Sequence, residues 1–133
     1  MWHTVDFDPV NQLALTTFRG PLLIDDAATL LREVIAHPEW TPQWSRIINY
    51  DDAMLGELNP EAVQGAQRQL GEIIKNAYKG APTFSAQVCF DPLKRPLLEY
   101  WIGLNETGYP AEMKLFATVS EARSWILAAR AGA

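Results

Sequence analysis

Short apolar runs give way to helix-period patterns four times along the chain, and that alternation defines the expected fold class. Trp2 to Phe7 and Leu13 to Phe18 read as strands, with Val5 and Phe7 on one face of the first and Leu13, Leu15 and Thr17 alternating along the second. Asp8-Pro9-Val10-Asn11 between them is a turn sequence, so the chain opens with a hairpin, and Gly20-Pro21 is expected to stop its second strand. Asp25 or Asp26 then caps a helix whose stripe is Ala27, Leu30, Leu31, Val34 and Ile35, ended by Pro38. A connector holding Trp40, Pro42 and Trp44 leads to a short strand, Arg46 to Tyr50. Asn59-Pro60-Glu61 supplies a cap, a first-turn proline and an acidic first turn for a helix running to about Tyr78. Val63, Ala66, Leu70, Ile73, Ile74 and Ala77 form its stripe, and Gly80 is placed to terminate it.

The scheme then repeats. Phe84, Ala86, Val88 and Phe90 alternate along a strand stopped by Asp91-Pro92. Pro96 opens a helix with Leu97, Leu98, Trp101 and Leu104 inward, and Gly108 and Pro110 break the chain. Met113, Leu115 and Ala117 mark the last strand, and Thr118-Val119-Ser120-Glu121 has the form of a capping box before a helix that buries Ala122, Trp125, Ile126 and Ala129. Helical connections of this length join parallel strands by right-handed crossovers. The expected class is therefore α/β: a mixed sheet of about five strands, an N-terminal antiparallel hairpin followed by parallel strands, with four helices.

Composition narrows the function classes more than it selects one. A chain of 133 residues, 48% apolar and 20% charged, fits a single globular domain spanning residues 1–133. It contains no run of the ~18 apolar residues that a spanning helix requires, so stable membrane insertion is not expected. The start lacks the basic and apolar regions of a secretory signal, so a cytoplasmic location is expected. Cys89 is the only cysteine, which rules out an intrachain disulfide framework. A net charge of −5 with scattered basic residues works against binding nucleic acid.

The ending Leu115-Phe116-Ala117-Thr118-Val119-Ser120-Glu121-Ala122-Arg123-Ser124-Trp125-Ile126-Leu127 resembles the closing strand and helix of small bacterial SpoIIAA-like proteins of the STAS/SEC14 type. Gly20 after the hairpin, the His37-Pro38 helix exit, Asp51 after the third strand and the order of elements match as well. The resemblance spans nearly the whole chain and implies a βα superhelix. Its motifs are structural punctuation, so it speaks to fold before function. Anti-sigma-factor antagonists of this kind carry a phosphorylatable serine or threonine just after the third strand, at the start of the following helix. This chain has Tyr50-Asp51-Asp52-Ala53-Met54 there and no serine or threonine from Arg46 through Pro82. A partner-switching phosphorelay is accordingly not expected. Asp51 and Asp52 would mimic a phosphorylated site if they headed a helix; the simpler alternative is that they end a strand and solvate a loop.

No catalytic set, metal site or cofactor is expected. His37 falls in the last turn of the first helix, where a structural role is favoured, and His3 lies on an edge strand. Neither has the spacing of a metal pair. Cys89 is expected to be an inert buried thiol. The candidate ligand-binding residues are Tyr50, Asp51, Asp52, Asp91, Lys94 and Arg95, at strand carboxyl ends and helix starts, where open α/β sheets form their crevices and backbone donors attract anions. Trp40 and Trp44, like Tyr100, Trp101 and Tyr109 farther on, add an aromatic load; in the connector such residues serve either as a lid over the core or as a partner surface. The leading expectation is a noncatalytic binding or regulatory module that contacts a protein or captures a small apolar or anionic ligand, and that self-associates as a homodimer. The alternative is a SEC14-like carrier of a lipid, which needs an apolar cavity between helices and sheet, and a small enzyme is a third.

Overall fold

The computed structural model describes residues 2–23, 25–56, 59–104 and 110–132. Its elements, in chain order, are β1 (Trp2–Asp8), β2 (Leu13–Pro21), α1 (Asp26–Ile35), β3 (Ser45–Met54), α2 (Pro60–Tyr78), β4 (Phe84–Val88), α3 (Arg95–Gly103), β5 (Glu112–Phe116) and α4 (Val119–Ala131). The five strands form one sheet in the order β1-β2-β3-β4-β5. β1 pairs antiparallel with β2, and all later neighbours are parallel. The α/β class, the opening hairpin, the mixed sheet and the four helices are thus as the hydrophobic pattern implies.

Period-two alternation divides the core between the two faces of the sheet. Ala14, Phe18, Ile48, Tyr50 and Cys89 meet Leu30 and Val34 of α1 and Leu98 of α3. On the opposite face Leu13, Ile47, Phe84, Ala86 and Val88 pack against Ala122 and Ile126 of α4. α2 lays Val63, Leu70 and Ile74 against Ala28 and Leu31 of α1 and Trp101 of α3. β4 is buried along its whole length, as befits a parallel strand covered on both sides. No helix among the described residues is long and apolar enough to cross a membrane.

The helix signals act much as their chemistry dictates, with instructive differences. Asn59 caps α2, its side chain accepting the Ala62 N–H at 2.9 Å, and Pro60 occupies the first turn. At the other end of α2 the left-handed backbone begins one residue early, at Lys79 (φ 51°), before Gly80 (φ 84°). Asp25 precedes α1 but makes no side-chain cap; Asp26 reaches back to accept the Leu23 N–H at 2.6 Å. Thr118 accepts the Glu121 N–H at 3.2 Å and donates its own hydroxyl to the Glu121 carboxylate at 3.0 Å, so the box closes side chain to side chain rather than onto the threonine's backbone N–H. His37 lies beyond the α1 C-cap, Ala36, not in the last helical turn. Its ring stacks on Phe7 at 3.9 Å, and its Nδ1 accepts the Glu39 N–H at 3.2 Å. Gly108 and Tyr109 lie outside the described residues.

Two strands run farther than their sequence signals suggest. Gly20-Pro21 does not stop β2, because Gly20 takes a positive φ of 72° and the strand goes on pairing with β3 to Pro21 opposite Met54. Among the described residues β1 pairs with β2 as far as Trp2 opposite Arg19. β3 in turn continues past Tyr50 to Met54.

Candidate functional site

The extension of β3 contains a bulge that organises the carboxyl end of the sheet. Between the pairs Thr17–Asn49 and Arg19–Asp52, β2 advances two residues while β3 advances three. The extra residue breaks the in-out alternation: Asp51 and Asp52 are both exposed, after which Ala53 points inward. The Asn49 side chain satisfies the bulged backbone by accepting the Asp51 N–H at 2.9 Å. Asp51 and Asp52 therefore neither end the strand nor head a helix, because α2 starts only at Pro60. A phosphate-mimicking pair at a helix N-terminus is ruled out by that placement.

All six candidate ligand residues lie at this end of the sheet. The Asp51 carboxylate accepts the Phe90 N–H at 2.7 Å, tying the bulge to the turn after β4. Lys94 Nζ donates to the Asp51 carbonyl at 2.6 Å and to the Tyr50 carbonyl at 3.4 Å. Arg95 Nη1 donates to the Cys89 carbonyl at 2.8 Å. Asp91 shapes the turn: its carboxylate accepts the Leu93 N–H at 2.9 Å, and its carbonyl accepts the N–H groups of Lys94 and Arg95. Asp52 meets Arg19 at 3.9 Å across exposed surface, a contact of small energetic weight. The Tyr50 ring is buried beside Phe18, and its carbonyl accepts from Lys94.

The chemistry of this arrangement is that of a lock. Two cations that the sequence offers as anion ligands are turned onto neutral carbonyls at the ends of β3 and β4, fixing α3 to the sheet. Cys89 Sγ donates to the Asp91 carbonyl at 3.8 Å, and burial pushes the thiol above its ordinary pKa, with the Asp51 charge acting in the same direction. A thiol held protonated is a poor nucleophile. No group of three or more His, Cys, Asp and Glu able to hold a metal ion occurs among the described residues.

Two apolar neighbours of the candidate residues stand out on the rim. Phe90 is 71% exposed and Leu93 is 89% exposed, on either side of Asp91-Pro92. Leu23, after β2, and Met54, ending β3, are exposed at the same end of the sheet. The sequence pattern puts Phe90 in the strand with Phe84, Ala86 and Val88; β4 ends at Val88, and Phe90 is exposed beyond it. Trp44 is only 2% exposed and packs edge-on to Phe7, while half-buried Trp40 packs edge-on to Tyr78. Trp44 belongs to the core beneath α1, and Trp40 packs against it.

Comparison with protein-family models, with curated proteins and with solved structures returned no match to the chain. The likeness to SpoIIAA-like proteins rests on the sequence features named above.

Proposed function

We propose that this protein is a noncatalytic binding module of the SpoIIAA-like, STAS/SEC14 type that docks a protein partner through the carboxyl end of its sheet. The observation that carries the reading is the exposure of Leu23, Met54, Phe90 and Leu93 at the end of the sheet where bonds from the Phe90 N–H and Lys94 to Asp51 tie the ends of β3 and β4 together. Large exposed apolar side chains rimmed by polar groups mark interaction surfaces, and a preorganised surface binds at lower entropic cost. A strand order that follows the chain, each later strand parallel to the one before, agrees with a βα superhelix. A lipid carrier needs an apolar void between helices and sheet, whereas the space that Phe18, Leu30, Ile48, Leu70 and Trp101 enclose among the described residues is about 10 Å³, room for one water; this supports partner contact over lipid carriage. The β3 side of the bulge carries no serine or threonine, which supports partner contact over a phosphorelay role.

The test is affinity capture from the native host with wild type and with a Phe90→Asp/Leu93→Asp variant, alongside native mass spectrometry of the purified wild type. A protein captured in stoichiometric amount by the wild type and lost with the folded variant is the expected result. A lipid adduct on the purified protein, or capture indifferent to the two substitutions, would overturn the proposal. If the captured species is the same chain, the partner is a second copy.

A further inference from the structure

The two outer strands of the sheet are protected to different degrees. β5 is five residues long and carries Lys114, a charge of the kind that blunts an edge. β1 is seven residues long and contains no lysine, arginine or proline. Its register with β2 runs without a bulge from Trp2 opposite Arg19 to Asp8 opposite Leu13.

The ladder fixes which way the backbone of β1 points. The Ser45 N–H donates to the Gln12 carbonyl at 3.0 Å, so Gln12, Ala14 and Thr16 turn their backbone groups toward β3, and Leu13, Leu15 and Thr17 turn theirs toward β1. Asp8, Asp6 and Thr4, opposite those three, therefore bond inward, and the N–H and C=O groups of His3, Val5 and Phe7 face outward. No hydrogen bond among the described residues uses them. Such a row accepts another strand, and the side chains decide which. α1 runs along one face of β1: the Glu33 carboxylate meets His3 Nε2 at 2.7 Å, and His37, just past the helix, stacks on Phe7 at 3.9 Å. Thr4 and Asp6 are exposed on the other face.

We propose that β1 pairs antiparallel with β1 of a second copy of the chain about a two-fold axis at Val5, joining two five-stranded sheets into one. Val5 then meets the partner's Val5 and His3 meets the partner's Phe7, each pair exchanging backbone bonds, while Thr4 sets a hydroxyl donor opposite the carboxylate of the partner's Asp6. Glu33, held over His3, comes beside the partner's His37, which is held over the partner's Phe7. With Nδ1 accepting the Glu39 N–H, the neutral His37 ring carries its proton on Nε2 and offers that carboxylate a donor, twice by symmetry. Sliding each strand one residue toward the hairpin turn opposes Asp6 to the partner's Asp6, and sliding it the other way moves Phe7 past the end of the partner strand. Charge and strand length thus select the register about Val5. This surface lies along the outer edge of β1, separate from the docking rim.

Sedimentation velocity of the wild type at about 100 µM, where a micromolar association is populated, is expected to show a dimer. Thr4→Asp, at an exposed position, sets like charges opposite each other on both sides of the axis and should weaken the dimer about tenfold. Thr4→Asp/Asp6→Lys restores opposite charges and should recover it. Amide exchange gives a reading that needs no variant: the N–H groups of His3, Val5 and Phe7 should exchange more slowly as concentration rises. A monomeric wild type overturns the proposal, as does a dimer in which those three amides exchange as fast as in the dilute protein. So does a dimer indifferent to a folded Thr4→Asp. Phe90→Asp/Leu93→Asp should leave the dimer intact; self-association lost with that variant and kept with Thr4→Asp belongs to the rim and refutes pairing through β1.

Discussion

Lys94 offers the sharpest test of how the carboxyl end of the sheet is held. Its ammonium donates to the Asp51 carbonyl at 2.6 Å, a strong contact, and to the Tyr50 carbonyl at 3.4 Å, at the edge of bonding range. Replacing it by methionine keeps the aliphatic stem and deletes both bonds. A hydrogen bond from a charged donor contributes about 1.5–3 kcal/mol, and the exposure of Asp51 reduces that by about half, because water takes over the freed carbonyl. The expected loss for Lys94→Met is therefore about 0.75–1.5 kcal/mol. In urea this lowers the unfolding midpoint by roughly 0.7 M with little change in slope. Amide exchange should accelerate in the β4–α3 turn, at Leu93 and Lys94 above all, because the link between that turn and β3 is what the substitution cuts. Asp51→Asn should leave the Lys94→Met loss largely intact, since the lysine bonds the backbone of residue 51 and not its carboxylate. A loss below about 0.5 kcal/mol, the range of an ordinary surface substitution, with unaltered exchange in the turn, would refute the reasoning.

Three further outcomes are expected. Hydrogen bonds from the Asn11 side chain and backbone hold the Asp8 carboxyl below its ordinary pKa; the stability this adds is present above the unfolded value and disappears as pH falls through the folded one, so Asp8→Asn should destabilise at pH 7 and have little effect near pH 2, as followed by thermal unfolding across pH. Burial raises the Tyr78 phenol above its ordinary 10.0, against a smaller opposing effect of Arg46; the unfolded chain ionises first, so stability is lost as pH climbs past 10, and Tyr78→Phe should flatten that alkaline loss. Arg130 of α4 donates to the carbonyls of Asn11 at 2.5 Å and Gln12 at 3.1 Å and approaches Ser45 Oγ at 3.5 Å; Arg130→Ala should cost about 2–3 kcal/mol in denaturant unfolding, and Arg130→Lys should recover only part of it.

The fold was legible because its signals are local. Hydrophobic period, Asn59-Pro60, Thr118 with Glu121, and Asp91-Pro92 each act within a turn or two of chain, and each does so in the structure. The site was legible in position but not in wiring. Asp51, Asp91, Lys94 and Arg95 do meet at strand carboxyl ends, but the bulge that joins them depends on where β2 runs, which the sequence of β3 alone does not encode. Consecutive exposed Asp51 and Asp52 within a strand were the available trace of it. Arg46 escaped notice because a charged residue at a strand start reads as a solvated flank; its burial follows only once α1, α2 and α3 cover that face. The alternation of Phe84, Ala86 and Val88 did place Ser85 and Gln87 together on the opposite face, and in a strand buried on both sides that is an interior polar pair.

Because space and chain agree in the order of the strands, a ribosome releasing this polypeptide delivers each strand beside one already in place. Ordering can spread along the sheet one neighbour at a time, each helical crossover closing a loop of 28 to 39 residues (Leu13 to Ser45, Arg46 to Ser85, Phe84 to Glu112). Arg130 breaks that pattern, since its guanidinium reaches back 118 and 119 positions to the carbonyls of Gln12 and Asn11. The final helix thus acts as a clasp: the first hairpin turn waits for the last turns of the chain to emerge before it is fastened.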